Sequence, residues 1–175
     1  RGDVAGTWGE LEHRYGPDFH IIDSPSLFHL LARFSAPETR QPEINNLVRF
    51  LSTELARIVV DREFPRATID LKTRMHSLTP GGVVRGTGLD VSIKAVVCCV
   101  MRAGVIPSLA FFDFLSSCLG PEAARQDFIS SARVTDRSGA VTGAAVESCK
   151  IGGSIEDAIL VFPDPMGATG STFST

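Results

Sequence analysis

The chain has 175 residues, 43% hydrophobic and 21% charged, with a formal net charge of −3 and a pI near 5.8. That length suffices for one α/β domain with a real core and is short for two, so residues 1–175 are expected to be a single domain. The acidic balance argues against nucleic-acid binding through an overall basic field, so any anion site has to be local.

No apolar run approaches the roughly 18–20 residues that span a bilayer, and the first residues lack the apolar core of a signal peptide. A cytoplasmic protein without membrane contact is expected. Cys98, Cys99, Cys118 and Cys149 show no metal spacing and read as reduced core residues; His13, His20, His29 and His76 contain no i, i+4 pair, so no protein-held metal is expected. Both ends read as cut. No Met precedes Arg1, and Thr175 falls where a helix is due to start, so the C-terminal part is expected to be missing.

In chain order, residues 1–22 have glycines and no periodicity, which predicts an irregular lead-in. Ser24 and Pro25 supply an N-cap and a first-turn proline for a short helix carrying Leu27, Phe28, Leu30 and Leu31. Pro42 opens a longer helix, with Ile44, Leu47, Val48, Leu51, Leu55, Ile58 and Val59 at three and four residue spacing until Pro65. Alternation from Ala67 to Leu71 predicts a half-exposed strand, and Gly81-Gly82 a turn into a short strand at Val83 to Arg85.

The continuous apolar run Ala95 to Val100 predicts a strand buried on both faces, followed by a helix from Pro107 to Leu119. Phe128 to Val134 and Ala140 to Cys149 read as a hairpin across the turn Asp136 to Gly139, and Ala158 to Phe162 as another buried strand. Strand, loop and helix thus alternate at least twice, which predicts an α/β fold with a doubly wound sheet and ligand loops beyond the strand C-terminal ends. Phe111, Phe112 and Phe114 fit either a core or an interface for self-association.

Two loops carry chemistry. After the last strand, Asp164 precedes a small-residue turn in which Gly167 and Gly170 allow close backbone approach while Thr169, Ser171 and Thr172 offer hydroxyls. Such a turn at a helix start suits a monoester phosphate, and Asp164 suits a vicinal diol. Alone, the same residues would serve equally well as a helix cap. No Lys stands in the GxxxxGK[ST] arrangement, which disfavours a nucleoside-triphosphate loop. The second loop, Arg102-Ala103-Gly104, follows the buried strand; Arg102 can pair with phosphate oxygens in a bidentate way.

VFPDPMGATGST resembles the phosphoribosyl pyrophosphate motif of uracil phosphoribosyltransferases, typically VDPMLATGGS, and VMRAGVI resembles their PILRAGL segment at a similar spacing. Gly167 stands for the family's Leu, Ser171 for its second Gly and Thr172 for its Ser. Weaker likenesses run from Ser24-Pro25 and its helix, through a β-arm spanning Arg133 to Lys150, to Ile155-Glu156-Asp157. The resemblance implies a type I phosphoribosyltransferase fold: a doubly wound, mainly parallel sheet with N-terminal helices and a β-arm hood.

It further implies transfer of ribose 5-phosphate from phosphoribosyl pyrophosphate to uracil, giving UMP and pyrophosphate. Arg102 and Asp164 would be the catalytic residues. Arg102 with Ala103 and Gly104 would hold pyrophosphate, Asp164 the ribose hydroxyls, and Ala168, Thr169, Gly170, Ser171 and Thr172 the 5-phosphate, with Met166, Gly167 and Lys150 also lining the substrate. Mg²⁺ would arrive with the substrate, and a dimer or larger homo-oligomer is implied. The altered loop also suits a non-catalytic relative that binds phosphoribosyl pyrophosphate or UMP and regulates a partner. A fold-only relative used for assembly is a third possibility. The family's uracil-recognition segment, ending Pro-Gly-Leu-Gly-Asp-Ala-Gly-Asp, has no counterpart in this sequence.

Overall fold

A computed structural model describes residues 9–135 and 141–166. They form strands β1 (Gly9–Glu10) and β2 (Ile22–Asp23), helices α1 (Pro25–Ser35) and α2 (Glu43–Glu63), strands β3 (Arg66–Lys72), β4 (Val83–Leu89) and β5 (Lys94–Met101), helix α3 (Val105–Leu119), and strands β6 (Ala124–Thr135), β7 (Val141–Lys150) and β8 (Ala158–Val161). A 3-10 turn at Arg74–Ser77 lies between β3 and β4.

The helix signals act as their chemistry dictates. Ser24 accepts the Leu27 amide with its side chain and Pro25 fills the first turn of α1. Helix α2 begins after Pro42 and ends at Glu63, because Pro65 has no amide to continue the ladder. An Arg33–Glu43 ion pair joins the two helices. At the far end of α3, Gly120 takes φ 100, a conformation that turns the chain back toward β6.

The main sheet has the order β7-β6-β5-β8. Strand β5 runs parallel to both β6 and β8, and β7 returns antiparallel to β6. On one face Ala95 and Val97 pack with Phe111, Leu115 and Leu119 of α3 and Ala56 and Val60 of α2. Two smaller ribbons, β1–β2 and β3–β4, stand apart from this sheet.

Four expectations change. The lead-in is not wholly irregular, since β1 pairs with β2 and Glu10 accepts from Arg62 at 3.1 Å and lies 2.6 Å from His20. Among the described residues only one β-α-β crossover is present, through α3; the passage from β7 to β8 is made by residues 151–157 without a helix. Strand β8 is half-exposed rather than buried, Leu160 being 39% accessible, because only β5 flanks it among the described residues. Cys149 is exposed instead of in the core, since β7 is an edge strand. Phe111 is buried, and Phe112 and Phe114 pack against the core, so that cluster supports the core reading. The predicted turn Asp136 to Gly139 lies outside the described residues.

The crossing segment has a specific anchor. Asp127 is almost fully buried and receives both Nε and an Nη of Arg125 at 2.9 Å, as well as the Gly152 amide at 3.0 Å. Arg125 also donates to the Ser154 and Gly153 carbonyls at 3.2 and 3.3 Å. A Cβ on Gly152 would lie 2.8 Å from the Arg125 side chain, so this close passage needs glycine. Arg125 and Asp127 are opposite Val96 and Cys98, on the side of the sheet away from α3, where this pinned segment crosses. Among the described residues no helix is long and apolar enough to cross a membrane.

Candidate functional site

Strands β5 and β8 are adjacent and parallel, so the loops leaving them emerge at the same edge of the sheet. From β5 the chain proceeds through α3 to β6 on one side, while β8 lies on the other. Loops flanking such a reversal of strand order form the usual ligand crevice of an open α/β sheet.

The first loop is a tight turn. The Gly104 amide donates to the Val100 carbonyl at 3.0 Å, and the Val105 amide to the Arg102 carbonyl at 3.2 Å. The Met101–Arg102 peptide is cis. Gly104 is buried, with its ideal Cβ position 2.7 Å from the Val100 oxygen and 3.2 Å from the Pro163 oxygen. The two loops therefore pass close enough that a side chain at Gly104 would meet the Pro163 carbonyl. Arg102 and Ala103 are exposed, and among the described residues Arg102 makes no ion pair and the Ala103 amide no hydrogen bond. Helix α3 starts directly after this turn, placing the positive end of its dipole there.

In the second loop, Asp164 is half-buried and its Oδ1 accepts the Met166 amide at 2.8 Å, closing a side-chain turn that sets the direction of the chain. Met166 is 67% exposed. Gly167, Ala168, Thr169, Gly170, Ser171 and Thr172 lie outside the described residues.

The structure thus brings together Arg102, Ala103, Gly104, Asp164 and Met166 on adjoining loops. Lys150 is not part of this group: it is exposed at the end of β7, opposite Phe128, two strands away from β5. Its level on the sheet is that of Cys99, two residues short of the β5 terminus. The Gly104 amide is committed to the turn, so of the two amides assigned to pyrophosphate, Ala103 is the one without an acceptor among the described residues.

The solved structure of the AQ2163 protein from Aquifex aeolicus shares this fold. It matches with a TM-score of 0.63 at 18% sequence identity, over 87% of this chain and 64% of that one. The chain accordingly spans less than two thirds of the length of that relative. No protein-family model matches the chain, and no curated protein matches it. At 18% identity the likeness speaks for the fold: a mixed α/β architecture with a mostly parallel four-stranded sheet.

Arg125 and Asp127 escaped the sequence reading, which started that strand at Phe128. The available signal was an opposite-charge pair at i, i+2, which alternation places on one side of a strand. Glu10, His20 and Arg62 form a second polar group, beside a cleft of about 320 Å³ between the lead-in and α2. His20 comes first and Arg62 second in holding the Glu10 carboxyl below its ordinary range. Neither loop of the candidate site lines that cleft.

Proposed function

We propose that this chain carries the phosphoribosyl pyrophosphate site of a uracil phosphoribosyltransferase, built on a type I phosphoribosyltransferase fold. The observation that supports this most is the close approach of the Arg102-Ala103-Gly104 turn to the Pro163-Asp164 loop, at the C-terminal ends of adjacent parallel strands. Two motifs far apart in sequence, each suited to one part of the same donor, meet where an α/β sheet binds ligands.

On this proposal Arg102 pairs with the leaving pyrophosphate, helped by the Ala103 amide and the start of α3. Asp164 accepts from the ribose hydroxyls, and residues 168–172 cradle the 5-phosphate. Mg²⁺ enters as part of the substrate, touching phosphate and water more than protein. N1 of uracil bonds to the anomeric carbon as the bond to pyrophosphate breaks, giving UMP and pyrophosphate, and the N1 proton passes to the pyrophosphate or to water. The protein's part is to position the donor and stabilise charge on the leaving group. Uracil as the acceptor follows from the Asp164-Pro165-Met166 form of the loop. A cytoplasmic location and self-association belong to the same proposal.

The test is turnover of labelled uracil by the full-length protein, with magnesium and phosphoribosyl pyrophosphate. Arg102→Ala is expected to lower kcat by about 10²–10³, as for loss of one donor to a developing charge; unchanged turnover would remove Arg102 from the leaving-group role. Gly167 and Ser171, which depart from the family pattern, favour a second reading as a ligand-binding regulator. Calorimetric binding of the donor without pyrophosphate release would select it, and no binding at all would sink both.

A further inference from the structure

Strand β8 leads into Asp164, yet little in the strand itself fixes where it stands. It has only four residues, and β5 is its one neighbour among the described residues. Ala158, Ile159, Leu160, Val161 and Phe162 are apolar at every position, so sliding the strand by one residue along β5 would still set apolar side chains on both faces. Such a slip would carry Asp164 about 3.3 Å along the strand axis, beyond what a hydrogen bond tolerates. The observed register, with Ala158 opposite Lys94 and Val161 opposite Val97, therefore needs a constraint from outside the strand.

That constraint comes from β6. The Arg125 guanidinium gives Nε and Nη2 to the Asp127 carboxylate, and Nη1 and Nη2 reach the Ser154 and Gly153 carbonyls. Asp127, 1% exposed, accepts the Gly152 amide as well. Gly152, Gly153 and Ser154 are thus tied to β6 through backbone atoms, at a place where little water competes for the bonds. From Ser154 onward the chain has little slack. The Glu156 amide donates to the Ser154 hydroxyl at 3.1 Å and the Ala158 amide to the Ile155 carbonyl at 3.2 Å, while Asp157 takes φ 55. Strand β6 is itself fixed on β5 from Ala95 to Met101. A tie from β6 to the entry of β8 therefore sets β8 against β5.

We propose that Arg125 and Asp127 are positioning residues that lock the register of β8 on β5 and so hold Asp164 beside the Arg102-Ala103-Gly104 turn. What Asp164 binds there rests on the proposed function; the lock itself does not.

Amide hydrogen exchange of the full-length protein, read on the peptides that cover β8 and α3, tests the lock. Gly152→Ala sets a Cβ 2.8 Å from Arg125 Cδ and so displaces the guanidinium. Arg125→Lys keeps the charge but loses the fork that spans Asp127 and two carbonyls. Both variants are expected to raise exchange at residues 158–162 roughly tenfold beyond any change in α3. Arg85→Lys, in the exposed pair with Asp70, should leave β8 as it is. Equal rises in β8 and α3 would mean a loss of global stability alone, and unchanged exchange in β8 would mean no lock; either result overturns the proposal. Calorimetric titration with phosphoribosyl pyrophosphate and magnesium is the second readout. About tenfold weaker binding in both variants supports the placing of Asp164 by the lock, whereas full affinity alongside faster β8 exchange overturns it. If the unaltered protein binds no donor, the proposed function falls, and the exchange result still decides the lock.

Discussion

Gly104 lies so close to Pro163 that a Cβ on it would fall 3.2 Å from the Pro163 oxygen and 2.7 Å from that of Val100. Backbone atoms cannot swing aside, so Gly104→Ala must shift the Val100 carbonyl within the turn and press on the Pro163 carbonyl. We expect a loss of about 1–3 kcal/mol in stability, as for overpacking of a closed site. On the proposed function, weaker calorimetric binding of phosphoribosyl pyrophosphate should accompany it. Ala103→Gly, at an exposed neighbour, should leave thermal stability nearly unchanged.

The Arg125–Asp127 pair predicts a pH dependence. Burial opposes the Asp127 charge, but the two Arg125 bonds and the Gly152 amide outweigh it and hold the carboxyl below its ordinary range. A carboxyl lowered on folding contributes stability above its unfolded pKa, about 3.9, and loses that contribution as pH falls through the folded value. Arg125→Leu leaves the buried carboxylate with the Gly152 amide but no charged partner, and should lower stability near neutrality. In that variant Asp127 binds its proton more tightly folded than unfolded, so the deficit should shrink on acidification. Urea unfolding of both proteins between neutral pH and pH 3 measures the convergence; a deficit that stays constant would refute this account of the pair.

Thiol chemistry should separate the four cysteines. Burial first, and the Asp127 charge second, push the Cys98 thiol up; burial and then Asp61 do the same for Cys118. Cys149 is exposed on β7, and Cys99 is fully buried. A thiolate-specific reagent should therefore label Cys149 first, and Cys98 and Cys99 only after denaturant is added. Peptide mapping after timed labelling reads the order.

Leu115 is fully buried among α2, α3 and β5. Leu115→Ala should cost about 2–5 kcal/mol through lost burial and a residual cavity. Phe28→Ala, at a site 72% exposed, should stay within about 0.5 kcal/mol of the unaltered protein. Comparable losses in urea titration would show that the core is elsewhere.

Much of the order of elements was legible because its signals are local. Ser24-Pro25 and Pro42 to Pro65 bound helices by capping and by missing amides, and the run from Ala95 to Val100 could be satisfied only in a strand covered on both faces. Local chemistry also marked the Arg102 and Asp164 loops. The edge character of β7 and β8, and with it the exposure of Cys149 and Leu160, was not legible, because pattern does not tell which neighbour a strand acquires.

By itself the sequence determined where the chain bends, which stretches are apolar, and which loops follow the strand ends with small and polar residues, since each is a property of a few consecutive residues. Only the tertiary structure decided that Gly104 meets Pro163, that Lys150 stands two strands from β5, and that Arg125 and Asp127 pin the passage from β7 to β8. These are pairings between distant segments, set by strand order and register, which short-range spacing does not encode.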